Sequence, residues 1–164
     1  MTRSNRIAVV ILLALSASAA LAQSDAQKSF SQLKSLAGSW EGKSSDGKPV
    51  LVSYRETAGG SAIMSEILGD HSMVTMFNLD GGNKLLMTHY CTVGNQPRMQ
   101  ASVSPDGRTI TFDYVGATNL SSPDAGHMQK MVLTMVDENH HTEEWTFADH
   151  GKELKQVFDL RRKI

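Results

Sequence analysis

The stretch that decides the fold runs from Met73 to Met99: MVTMFNLD (73–80), GGN (81–83), KLLMTHYC (84–91) and TVGNQPRM (92–99). Apolar residues recur at every second position on both sides of Asp80-Gly81-Gly82-Asn83. This pattern predicts a β-hairpin, because Gly and Asn accept the positive φ of a tight turn. Thr92 to Pro97 reads as a polar connection, after which alternation resumes at Met99, Ala101 and Val103, so three antiparallel strands follow one another. His89, Tyr90, Cys91, Asn95, Gln96 and Arg98 gather near one strand end. They are the densest group of hydrogen-bonding and nucleophilic side chains in the chain, but their spacing matches no catalytic or metal motif.

Working outward, the same grammar extends over nearly the whole sequence. Residues 24–36 carry apolar side chains at Phe30, Leu33 and Leu36, with Asp25 early and Gly38 just past the end, and predict a short amphipathic helix. Strand-like runs occupy 39–43, 50–57, 61–68, 73–79, 84–91, 98–103, 109–115, 128–136, 141–147 and 154–160, about ten in all. Turn residues separate them, as in Ser45-Asp46-Gly47, Ala58-Gly59-Gly60 and Ser104-Pro105-Asp106-Gly107. Only 116–126 is long enough for a lid or crossing loop. A meander of ten short strands leaves two raw edges unless it closes on itself. The predicted fold is therefore all-β, a single antiparallel up-and-down barrel with a short N-terminal helix, and a sandwich is the alternative.

Strand parity then assigns faces. The more apolar sets include Val50, Val52 and Tyr54; Leu85, Met87, His89 and Cys91; Met99, Ala101 and Val103; Ile110, Phe112 and Tyr114; Met131, Leu133 and Met135; Trp145 and Phe147; and Leu154, Phe158 and Leu160. The same reading carries polar groups inward, namely Glu66 (with Met64 and Leu68), His89, Glu143 and Gln156. Buried polar groups without partners each cost about 1–3 kcal/mol, so a wet or liganded interior is expected. Ten strands also enclose more space than the small barrels that side chains alone fill.

Residues 1–22 stand apart. Arg3 and Arg6 precede an apolar run from Ile7 to Leu15, and Ala20-Leu21-Ala22 supplies a small-x-small cleavage site, so 1–22 reads as a secretory signal peptide and 23–164 as the barrel domain. The apolar run is too short for a permanent bilayer span, and no second run of about 18 residues follows. The mature chain is then expected to begin near Gln23, without a membrane anchor, in the periplasm or secreted. Without the two leader arginines it keeps 14 basic against 17 acidic side chains, a net charge of −3, which gives no electrostatic reason to bind nucleic acid. Cys91 is the single cysteine, so no internal disulfide forms; a small buried hydrophobe is the favoured role, since no basic cluster flanks it to activate the thiol.

Gly38-Ser39-Trp40 opens the first strand and Arg161-Arg162 closes the last. This pair resembles the Gly-x-Trp signature of the lipocalin and calycin barrels, which implies that Trp40 packs across the barrel floor beneath Arg161 or Arg162. The run Leu36-Ala37-Gly38-Ser39-Trp40-Glu41-Gly42 also resembles the opening of nitrobindin-like haem barrels, which have a further glycine where this chain has Ser44. His89-Tyr90-Cys91, followed by Gly94-Asn95-Gln96-Pro97-Arg98, is similar to exported bacterial lipocalin-like proteins of uncharacterised function.

The function these observations favour is binding of a small apolar or amphipathic molecule in a barrel cavity. Methionines at 64, 73, 76, 87, 99, 128, 131 and 135 are numerous for the domain size and suit an adaptable pocket, although each also suits ordinary core. The expected lining is Met64, Met87, Met99, Met131, Met135 and Trp145, with Glu66, His89 and Arg98 as polar groups. Arg98 has the opposite parity to Met99 and reaches the mouth only if the 94–97 loop turns it inward. No cofactor or metal is expected on this reading.

Two alternatives belong to other classes. The nitrobindin resemblance implies haem held by an imidazole, with His89, His140, His141 and His150 as candidates, though no Cys-x-x-Cys-His is present. His140 and His141 point to opposite faces of a regular strand and read best as a solvated turn pair. An acid/base enzyme would use His89, Tyr90 and Glu66, whose types suit proton transfer, but no nucleophile elbow or paired-carboxylate motif accompanies them. Binding is favoured over catalysis.

Overall fold

The computed structural model describes residues 23–69 and 71–163. The expected signal peptide, 1–22, lies outside the described residues. Among the described residues one α-helix, α1 (Asp25–Ser35), is followed by ten strands: β1 (Gly38–Ser44), β2 (Pro49–Thr57), β3 (Ala62–Leu68), β4 (Met73–Asp80), β5 (Lys84–Tyr90), β6 (Gln96–Val103), β7 (Thr109–Thr118), β8 (His127–Asp137), β9 (His140–Asp149) and β10 (Lys152–Arg162). Each strand pairs antiparallel with its neighbours in sequence, and β1 also pairs with β10, closing an up-and-down barrel. Closure removes both sheet edges, as the meander predicted. No helix among the described residues is long and apolar enough to cross a membrane.

The local chemistry explains the helix and its placement. Ser24 caps α1 by accepting from the Gln27 amide at 3.2 Å, while the Gln27 side chain accepts from the Ser24 amide at 2.9 Å. Asp25 in the first turn and Lys34 in the last oppose the helix dipole. Ala26, Ser29, Phe30 and Leu33 form the buried stripe and plug one end of the barrel.

Trp40 completes that plug. Its indole nitrogen donates to the Leu36 carbonyl at 2.7 Å, and the Arg162 guanidinium lies 4.4 Å from the ring centre. Arg162 also donates to the carbonyls of Ala37 (2.9 Å) and Ser35 (2.8 Å), tying the last strand to the helix end. Of the two terminal arginines it is therefore Arg162 that covers Trp40, while Arg161 is exposed. The β1–β10 seam is tight: a side-chain carbon on Gly42 would fall 1.7 Å from the Asp159 carbonyl oxygen, so only glycine fits.

The middle of the barrel is closely packed. Phe77, Met87, Met99, Phe112, Met131 and Leu133 are wholly buried, and the Phe77 and Phe112 rings stand 5.4 Å apart. The expectation of a generally wet interior is thus corrected, because large side chains fill the added width of ten strands.

Parity is corrected on β3. Ile63 and Ser65 are buried, whereas Met64 and Glu66 are half-buried and Leu68 is exposed. Directly opposed residues of an antiparallel pair share a face, and Tyr54, which points inward, is opposed by Ser65. Met64, Glu66 and Leu68 therefore lie on the outer surface. Arg98 is likewise exposed, next to a register shift between Arg98 and Met99.

Candidate ligand cavity at the open end of the barrel

Because the strands alternate in direction, inward residues fall into layers between the α1 end and the opposite, uncovered end. On β9 the inward positions are His141, Glu143, Trp145 and Phe147, rising towards the open end. Tyr54 meets Glu143 across the interior, and His89 meets Trp145 one layer higher. These contacts join residues far apart in sequence and exist only because the barrel closes.

The lower layer is a polar cluster centred on Glu143, in which His141 Nδ1 has no hydrogen-bond partner. The Tyr54 hydroxyl donates to Glu143 Oε1 at 2.5 Å, the Trp145 indole donates to Oε2 at 2.9 Å, and His141 Nε2 lies 3.4 Å from Oε1. Burial by itself would raise the Glu143 pKa, but His141, Tyr54 and Trp145 together outweigh it and hold the carboxyl below its usual range. Burial, then the Glu143 carboxylate, push the Tyr54 phenol well above its usual value. His141, edge-on to Trp40 at 4.3 Å, is fully buried, which corrects the expectation of a solvated turn pair. Only His140 faces outward, 3.0 Å from Asp159. Glu143 thus has protein partners on both oxygens and needs no ligand to satisfy it.

His89 forms the next layer. Its Nδ1 is 2.9 Å from the Thr75 hydroxyl, its Nε2 has no hydrogen-bond partner, and its ring lies 4.9 Å from that of Trp145. Burial lowers its pKa to about 4, against a weaker opposing pull from Glu143, so the imidazole is neutral near pH 7.

Above Trp145 the barrel is hollow. A cavity of about 410 Å³ is walled by Ile67, Met73, Met128, Trp145, Phe147 and Phe158. This volume falls within the range of small-molecule sites. Ser45, Asp46, Leu154, Lys155 and Gln156 form its rim. The rim charges are already paired: Asp46 accepts from Lys48 at 2.8 Å, from Gln156 at 3.2 Å and from the Ser44 hydroxyl, and Lys155 meets Glu144 at 3.0 Å. The hydrogen bonds from Lys48 and Ser44 hold the Asp46 carboxyl well below the usual carboxylate range. Other hollows of about 420 and 480 Å³ lie beside α1 and between the loops near Asn95 and Asn119, where polar surface predominates.

Of the side chains the sequence pointed to, Trp145 lines this cavity. Met87, Met99 and Met131 are packed below it, Met135 sits near the α1 end, and Met64, Glu66 and Arg98 are outside the barrel. His89 is inside while Tyr90 and Glu66 are outside, so the proposed acid/base trio does not converge. No histidine stands among the lining residues, so this cavity does not fit a haem held by an imidazole.

The wall residues absent from the expected lining are Ile67, Met73, Met128, Phe147 and Phe158, of which Phe147 and Phe158 read as inward from strand parity. Met128 has the opposite parity to Met131, but a register shift between Met128 and Lys130 sets both against inward residues, Phe147 and Trp145. A single unaligned sequence carries no signal for such a bulge. No protein-family model matches the chain, and no curated protein matches it.

Proposed function

We propose that the protein is an exported, lipocalin-like binding protein that takes a small apolar or amphipathic molecule into the open end of the barrel. The observation that carries this reading is the cavity above Trp145, with large apolar side chains as walls and an internally paired polar rim. Apolar walls supply contact area, and a rim whose charges are neutralised favours a ligand whose exposed end is uncharged. Ile67, Met73, Met128, Trp145, Phe147 and Phe158 make the contact surface, while His89 and Glu143 support Trp145 from beneath. Residues 1–22 act as the cleaved export signal, placing the mature barrel in the periplasm or outside the cell.

An environment-sensitive fluorescent fatty acid tests the binding reading. It should bind saturably with a blue shift, and Met73→Trp should fill the cavity and abolish binding without unfolding the barrel. Absence of binding up to the probe's solubility limit contradicts the proposal. Intact mass measurement of the exported chain should show a product beginning near Gln23, whereas retention of residues 7–15 would refute the export reading.

A further inference from the structure

The residues displaced from the interior by the β3 parity are not scattered. Strand registers set Met64 beside Met76, Glu66 beside Val74, Val74 beside Tyr90 and Leu51 beside Leu68, all on the outer face. A largely apolar outer face therefore crosses β2 to β5, with Leu51, Leu68 and Tyr90 each more than two-fifths exposed and Ser53, Arg55, Glu66 and Thr88 interspersed. A large contiguous apolar patch on a soluble surface is uncommon and marks an interaction site.

The charges on this wall include, among the described residues, an unpaired one of each sign. Across the barrel, Asp113 pairs with Lys130 and Glu144 with Lys155, each at 3.0 Å. Among the described residues, neither Arg55 nor Glu66 has an ion-pair partner, and Arg55 instead places Nη2 3.3 Å from the Met64 sulfur. Arg55 lies one strand from Glu66 and one outward row nearer the α1 end. A patch holding both signs at that offset is complementary to itself.

We infer that the outer face of β2–β5 is a two-fold interface with a second copy of this chain. A two-fold axis lying in the interface, across the strands between the Val74 and Met76 rows, sets each row against the other. It covers Met64, Val74 and Met76 and brings Glu66 of each copy beside the partner's Arg55, giving two symmetric ion pairs from one patch. A wholly apolar partner would cover the methionines but supply no charge to Glu66 and Arg55, which would then have only each other. The interface leaves the rim residues Ser45, Asp46 and Leu154 to Gln156 free.

Sedimentation velocity over a micromolar to millimolar concentration series, on the chain beginning at Gln23, tests this. The expected result is a reversible monomer–dimer equilibrium. Met76→Lys should make the protein monomeric with an unchanged near-ultraviolet dichroism spectrum. Glu66→Arg should weaken the dimer by roughly tenfold or more, and adding Arg55→Glu should restore it. Val115→Lys, at an exposed apolar position on β7, should leave association intact. A monomer at every concentration overturns the inference. So does a dimer insensitive to Met76→Lys and Glu66→Arg, or one that the charge swap fails to rescue.

Discussion

The two ends of the barrel are built by the same ten strands with the same inward alternation, yet one is sealed and the other hollow. At the α1 end, Trp40 fills the floor, its indole is bonded to the Leu36 carbonyl, and Arg162 lies over it. At the open end, Phe147 is only half-buried, Leu154 is 69 % exposed, and among the described residues no helix comparable to α1 lies across the opening. Strand number therefore sets how much space a barrel encloses, while the side chains and the covering element decide where that space remains empty. Trp145 marks the boundary: it is 3 % exposed, bonded to the polar cluster below and bordering the cavity above.

The largest expected effect is at the sealed end. Trp40→Ala should cost about 3–5 kcal/mol in urea unfolding, as for other buried aromatics, because it removes the plug and leaves the Leu36 carbonyl without its donor and Arg162 without the ring beneath it. An unchanged midpoint would mean that the floor does not carry the fold.

The boundary layer should show itself through pH. His89 titrates near 4 in the folded barrel and near 6.5 when unfolded, so between those values the unfolded chain binds the extra proton. Its contribution is complete above about pH 6.5 and falls as the solution is acidified, by roughly 3 kcal/mol at pH 4. Glu143, whose carboxyl is held below its usual range, adds a further loss of the same sign below about pH 4.5. In His89→Phe the part of the slope between pH 6.5 and 4.5 should vanish. A wild-type slope retained in that variant would assign the acid sensitivity to other groups.

The smallest effect belongs to the open end. Met128→Ala removes a side chain that already borders empty space, so it should cost less than the 2–5 kcal/mol typical of a packed methionine, on the order of 1 kcal/mol. A full core penalty, measured in the same urea titration, would mean that the cavity is closed in solution and Met128 is packed.

These contrasts also mark where the sequence was readable. Strand positions and closure follow from the turn residues between short alternating runs, and facing follows wherever one side is polar, as at Thr109, Thr111 and Asp113. Facing failed on β3, where Ile63 and Ile67 compete with Met64 and Leu68 and both sides are apolar. The polar cluster was half legible. Parity alone turns Glu143 inward, but its partner Tyr54 lies 89 positions earlier and meets it only through closure. The cavity was least legible, since it depends on which end α1 covers and on the bulge that turns Met128 inward.

The central claim is that ligand reaches the Trp145 end and not the Trp40 end. The chain has two tryptophans, so Trp40→Phe leaves Trp145 as the sole indole, and Trp145→Phe leaves Trp40. Each variant is titrated with a brominated fatty acid, whose bromine quenches an indole only at contact range, while tryptophan emission is followed. The account predicts saturable quenching that is strong for Trp145, where the ligand would touch the ring, and much weaker for Trp40. Equal quenching of both, or none of Trp145 at the limit of ligand solubility, would contradict it.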